Sequence, residues 1–182
     1  KASPAAAIFT VLVLAALFVW RMLGSPEDGK TQITLPNGEL HVWFLDVGQA
    51  DSSLLVCDGQ AMLIDGGNVD DASYVVASLE QYGVTSLDYV INTHCDEDHV
   101  GGLAGVLAKF PAEHVWSSTA EYGTKAFSNF VKYANEQGRA IEIPSPGDTF
   151  TLGEAEITVL GPLRDYENNN ENSIVLRVDY GE

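Results

Sequence analysis

At 182 residues the chain is long enough for one domain with a proper core and too short for two comfortable ones. An apolar share of 46% beside a charged share of 19% excludes wholesale disorder. The formal net charge of −17, from 26 acidic against 9 basic residues, disfavours sliding along nucleic acid or docking on anionic lipid, since both need a basic surface. It leaves room for a nucleic-acid substrate held by metal ions in a local cleft.

Residues 5–20 (AAAIFTVLVLAALFVW) form an uncharged apolar run with Lys1 before it and Arg21 after it. Met22, Leu23 and a snorkelling Arg21 extend the run toward bilayer length, and Trp20 suits a membrane interface. The run has no polar face for a core helix and no small-x-small cleavage site behind it. The pattern predicts a transmembrane helix over 1–23, either a lone anchor or the last span of a larger membrane region. Residues 24–39, rich in Gly, Pro and polar side chains, read as a linker, and the soluble domain occupies 40–182.

Strands are predicted at 42–47, 53–56 and 61–65, with Cys57-Asp58-Gly59-Gln60 as the hairpin turn between the last two. A helix is predicted over 71–81, with Val75, Val76 and Leu79 on one face and Gly83 as its stop. Residues 87–92 form a continuous apolar strand. A short helix at 103–109, a strand at 115–117 and an amphipathic helix at 125–137 follow. Further strands are predicted at 141–143, 149–152, 156–160 and 174–179. The fold class is α+β, with sheet dominating and helices covering it. A terminal strand followed only by the Tyr180-Gly181-Glu182 turn predicts a domain whose C-terminal half is incomplete. Cys57 and Cys95 are too few for a disulfide framework, and both read as structural. His41 and His114 each open a strand and read as surface or cap residues.

The stretch Thr93-His94-Cys95-Asp96-Glu97-Asp98-His99-Val100-Gly101-Gly102 carries the chemistry. Four metal-binding residues, His94, Asp96, Asp98 and His99, fall within six positions directly after a strand. Two carboxylates held this close repel each other and lose solvation. A divalent cation removes that penalty, and two cations use all four ligands. Cys95 alternates with its neighbours and points away. No Ser-His-Asp order and no P-loop lysine are present, so covalent catalysis and nucleotide binding lack support.

Phe44 to Ser52 (FLDVGQADS), then Leu63-Ile64-Asp65-Gly66-Gly67, then Thr93 to Gly102 resemble, in that order, the motifs of the metallo-β-lactamase superfamily, and within it the ComEC/Rec2-like branch. The resemblance covers about 40–179. It implies an αββα sandwich and metal-assisted hydrolysis, with two divalent metal ions. By position, His94 and Asp96 bind the first metal, Asp98 and His99 bind the second, and Asp98 and His99 are the expected catalytic pair. Asp96 stands where the superfamily usually has a histidine, which raises the oxygen share and makes manganese a competitor to zinc. Asp65 is implied as a partner that orients the histidine loop, and Gly101 and Gly102 as the tight turn beneath it. Gln49 and Asp51 match the signature, with a turn role as open as a catalytic one. Asn172 is a further candidate near the metals, with loop capping as its alternative. The branch resemblance implies a phosphodiester or nucleic-acid substrate and a membrane-anchored domain outside the cytoplasm. Another ester or amide substrate, and a non-catalytic module on the same scaffold, remain as alternatives.

Overall fold

The computed structural model describes residues 36–181; the predicted membrane span and most of the predicted linker lie outside the described residues. Among the described residues no helix is long and apolar enough to cross a membrane.

The first half builds a five-stranded mixed sheet in the order β1-β2-β3-β4-β5. Its strands are β1 (Leu40–Phe44), β2 (Ser53–Cys57), β3 (Gln60–Ile64), β4 (Leu87–Asn92) and β5 (Ala112–Ser117). β1, β2 and β3 pair antiparallel, whereas β3-β4 and β4-β5 are parallel. The β2–β3 turn follows from its residues. Asp58 and Gly59 both take positive φ (50° and 81°), the conformation of a two-residue hairpin whose twist matches its strands. The parallel pairs need crossovers, and helices supply them.

A single 3-10 turn, Val69–Asp71, leads into α1 (Ala72–Gln81), which buries Val75 and Leu79 and stops at Gly83 with φ 77°. Short helices α2 (Glu97–Val100) and α3 (Leu103–Lys109) follow β4. α4 (Lys125–Glu136) is capped by the Thr124 side chain, which accepts from the Phe127 amide at 3.3 Å, and it buries Ala126, Phe127, Phe130 and Ala134 on one stripe. These helices cover one face of the sheet around Leu54, Leu63, Val90, Leu103 and Phe130.

On the other face lies a three-stranded antiparallel sheet, β6 (Thr149–Leu152), β7 (Ala155–Gly161) and β8 (Val175–Asp179), in sequence order. Leu55, Met62 and Ile91 from the first sheet meet Leu152, Ala155 and Ile157 from the second. Tyr89, Trp116 and Phe150 pack together beside them, with ring centroids 4.4–5.3 Å apart. The described residues thus form helix, sheet and sheet layers of an α+β fold.

Four local expectations change. β1 ends at Phe44 because the chain then leaves the ladder, and Leu45 and Val47 are buried from a loop rather than a strand. Residues 141–143 make one parallel bridge, Trp116 to Glu142, instead of a strand. The metal motif itself contains a helical turn, α2, where a loop was expected. His114 lies inside β5 rather than at its start, stacked on Tyr89 with centroids 4.9 Å apart.

Candidate metal centre

Three loops are laced together by main-chain hydrogen bonds at the carboxyl ends of β3 and β4. The Asp51 amide donates to the Asp98 carbonyl (3.1 Å), and the Gly67 amide donates to the Asp51 carbonyl (2.8 Å). The Gly66 amide donates to the His99 carbonyl (2.7 Å), and the Gly102 amide donates to the Gly67 carbonyl (3.1 Å). This lacing explains the glycines. Gly101 and Gly102 have ordinary right-handed helical backbones, so their need is not for unusual φ. A Cβ on Gly102 would fall on the Gly66 carbonyl, and one on Gly101 would strike the Val69 amide and the Glu97 carbonyl. Close approach of two backbones is the requirement.

Asp65 sits at the centre of this lacing, 3% exposed and with φ 58°. A left-handed backbone at a non-glycine residue is uncommon, and Asp is among the residues that tolerate it. Its carboxylate accepts from the Thr93 amide (2.8 Å), the Thr93 hydroxyl (2.7 Å) and His99 Nδ1 (2.8 Å). A carboxylate can only accept here, so His99 carries its hydrogen on Nδ1 and turns Nε2 outward. Burial opposes a charge on the His99 ring, but the Asp65 hydrogen bond and the charges of Asp65, Asp98 and Asp51 outweigh it and raise its pKa above the ordinary histidine value.

His94 is held by hydroxyls. Its Nδ1 lies 3.2 Å from Thr93 Oγ1 and 3.3 Å from Ser173 Oγ. Thr93 sends its hydrogen to Asp65, and Ser173 sends its own to the Asn170 carbonyl at 2.7 Å. Both hydroxyls can therefore only accept from His94, which assigns its hydrogen to Nδ1. Nε2 is left with a bare lone pair. That atom is buried without a hydrogen-bond partner, 3.4 Å from Asp96 Oδ2. Burial, then the nearby His99, depress the His94 pKa against the raising pull of Asp96, Asp65 and Asp98. The two imidazoles are 3.9 Å apart, centroid to centroid.

Asp96 occupies the N-cap position of α2, yet its side chain does not cap that helix. Its oxygens accept instead from Asn169 Nδ2 (2.7 Å, to Oδ1) and Asn170 Nδ2 (3.1 Å, to Oδ2). Asp98 is half-buried and acts on both imidazoles through its charge. Asp51 Oδ2 stands 3.6 Å from His99 Nε2, with the side chain 72% exposed. Asp51 thus has both openings read in its sequence, a main-chain role in the lacing and a carboxylate at the site.

His94, Asp96 and His99 are brought together and Asp65 lies behind them, but the side chains do not close on one point. Among the described residues no three His, Cys, Asp or Glu side chains are gathered as a metal-ion site. The donor chemistry nonetheless fits a cation. The bare His94 nitrogen and the Asp96 carboxylate are two Lewis bases facing each other with no hydrogen between them, and a positive ion is what that arrangement lacks. Asn172 is used elsewhere. Its Oδ1 accepts from the Tyr166 amide (2.8 Å), and its Nδ2 donates to the carbonyls of Tyr166 (2.8 Å) and Asn168 (3.3 Å), which is loop capping. Cys95 is fully buried in the helix-side core, away from the imidazoles. Sequence reading missed Asn169, Asn170, Thr93 and Ser173. The Asn-rich run at 168–170 signals only a turn, and its partner Asp96 is 73 residues from Asn169.

An α+β layering with paired histidines and aspartates at strand ends defines a class, and the family match names it. A family model described as the metallo-beta-lactamase superfamily matches residues 45–181, and the chain belongs to that superfamily. Within it, the chain is similar to ComEC-like competence proteins. It is 24% identical over 164 residues to ComE operon protein 3 of Bacillus subtilis, covering 80% of this chain and 21% of that protein. It is 32% identical over 115 residues to competence protein ComA of Neisseria gonorrhoeae, covering 63% of this chain and 15% of that protein. The chain therefore spans about a fifth or less of the length of these relatives. In fold it resembles a subclass B3 metallo-beta-lactamase isolated from a soil metagenome library. The TM-score is 0.57 at 17% identity, covering 84% of this chain and 60% of that one.

Proposed function

We propose that the domain is a metal-dependent hydrolase acting on phosphodiesters, with nucleic acid as the substrate class. The observation that carries this reading is the buried, bare Nε2 of His94 facing the Asp96 carboxylate. Two divalent ions, zinc or manganese, are assigned to His94 with Asp96 and to Asp98 with His99. When bound, such ions supply Lewis acidity and a hydrolytic water activated near neutral pH.

The remaining work belongs to the chain. Asp65 orients His99 by accepting its Nδ1 hydrogen, so that Nε2 faces the site. The Thr93 and Ser173 hydroxyls do the same for His94. Burial lowers the His94 pKa, which favours the neutral ring whose lone pair can meet a cation. The net charge of −17 repels a polyanion from most of the surface and confines its approach to places where cations offset the acids. Similarity to competence protein ComA supports nucleic acid over other phosphodiesters. The apolar run at 5–20 supports membrane anchoring, with the acidic domain on the outer side.

The test uses the full chain, stripped with a chelator and reloaded with zinc or manganese. Metal content is measured directly, and turnover is followed on bis(p-nitrophenyl) phosphate and single-stranded DNA. His94→Ala and Asp98→Ala are expected to lose both metal and turnover. Unchanged metal content in both variants overturns the ligand assignment. Metal binding without turnover makes the domain a binding module, and cleavage of an acyl ester alone moves the substrate class.

A further inference from the structure

The Asp96 side chain takes no hydrogen bond from its own loop. It is about one-third exposed, sits at a helix N-cap and makes no capping bond there. A short acidic side chain so placed either caps its helix or samples several rotamers. Here it does neither, because the second half of the molecule reaches across and holds both of its oxygens. The agent is the segment from Asn168 to Ser173, whose 3-10 turn spans Asn170–Asn172.

That segment is built to be rigid. Asn172 ties it to Tyr166 at both ends of its amide and to the Asn168 carbonyl. Asn168 Oδ1 accepts from the Asn170 amide at 2.9 Å. The Ile174 amide donates to the Thr93 carbonyl at 2.9 Å, which docks the end of the segment beside the residue that precedes His94. From this frame Asn169 and Asn170 each aim an amide at Asp96, and Ser173 aims its oxygen at His94 Nδ1.

The choice of amides has a chemical reason. A lysine or arginine in their place would hold the carboxylate as well, but would cancel its charge and compete with a cation. A neutral amide orients the carboxylate and leaves its full negative charge for the ion. Each amide occupies part of one oxygen, and Oδ2 still lies 3.4 Å from the bare His94 nitrogen.

We propose that the segment from Asn168 to Ser173 is a positioning clamp, in which Asn169 and Asn170 fix Asp96, and Ser173 helps fix His94, in the pose that takes a divalent cation. The inference rests on the metal-centre reading above. Asn169, Asn170 and Ser173 are positioning residues and touch no substrate, and Asn172 acts one step further back by holding the clamp together.

The test measures cation affinity, independent of turnover. Zinc and manganese dissociation constants are determined on the full chain by competition with a chromophoric chelator, and the melting temperature of the metal-free protein is recorded in parallel. Asn169→Ala with Asn170→Ala is expected to weaken cation binding by roughly 10- to 100-fold, the usual effect of removing partners of a ligand, while the metal-free melting temperature stays within a few degrees. Asn170 is exposed, so Asn170→Ala alone leaves the fold intact and decides the matter if the double variant melts early. For that single variant a loss of roughly 10-fold is expected. If wild type binds a cation and the folded variants bind it within twofold as tightly, the clamp is overturned and the metal centre stands. If wild type binds neither ion, the metal-centre reading falls and the clamp falls with it.

Discussion

Strand β4 and strand β7 live in different surroundings. In β4, the adjacent residues Val90 and Ile91 are both fully buried, because helices cover one face of the first sheet and the second sheet covers the other. In β7, burial alternates: Ala155, Ile157, Val159 and Gly161 are inside, whereas Glu156 and Leu160 are exposed. The doubly covered sheet carries the reactive loops and holds them by backbone lacing. The singly covered sheet contributes polar groups that trim their orientation. Rigidity at the site thus comes from the first sheet, and fine placement from the second.

Matched substitutions can break that comparison. Leu63 and Leu152 are both fully buried, but Leu63 lies within the covered sheet and Leu152 at the end of β6. Leu63→Ala is expected to cost about 4 kcal/mol and Leu152→Ala nearer 2 kcal/mol, because the cost depends on how far neighbours can collapse into the gap. Urea denaturation gives both values, and equal losses would show that the two sheets are equally rigid. Gly102→Ala against Gly161→Ala sharpens the point. The first places a Cβ on the Gly66 carbonyl and is expected to cost about 3 kcal/mol. The second meets Val175 Cγ2 at an ordinary 3.5 Å and should cost less than about 1 kcal/mol.

Asp65→Asn probes the lacing itself. Asparagine tolerates the positive φ at this position, so the loss isolates the three hydrogen bonds. About 2 kcal/mol is expected by thermal unfolding, since an amide offers a donor where only acceptors fit. No change in stability would mean that Asp65 is not the anchor of His99. The smallest effect belongs to Phe44→Ser. Phe44 closes β1 at 83% exposure, and its replacement should stay within about 0.5 kcal/mol by the same measurement. A loss above 1 kcal/mol would show that this edge is covered by something beyond the described residues.

Much of this architecture is legible along the chain. The Asp58-Gly59 turn, the uninterrupted apolar β4, and helices α1, α3 and α4 follow from turn chemistry and periodicity within a few residues. The candidate ligands His94, Asp96, Asp98 and His99 are legible too, because all four lie in one short segment after one strand, and of these the structure brings His94, Asp96 and His99 together. Asp65 as the partner of the histidine loop came from the motif order, and its carboxylate bonds His99 Nδ1. The glycine pair was legible as a need for glycine but not as the reason, which is a backbone from another loop at contact distance.

Local pattern determined the strands, the hairpin, the helices and the acidic histidine loop, since each depends on neighbours only a few positions away. Tertiary structure alone decided that Asn169 and Asn170 grip Asp96, that Thr93 and Ser173 fix the hydrogen of His94, and that Asn172 serves the loop instead of the ions. Those contacts exist because Leu55, Met62 and Ile91 bury themselves against Leu152, Ala155 and Ile157. Once the two sheets close on that apolar face, loops far apart in sequence share one rim, and hydrogen-bond satisfaction selects which polar groups pair.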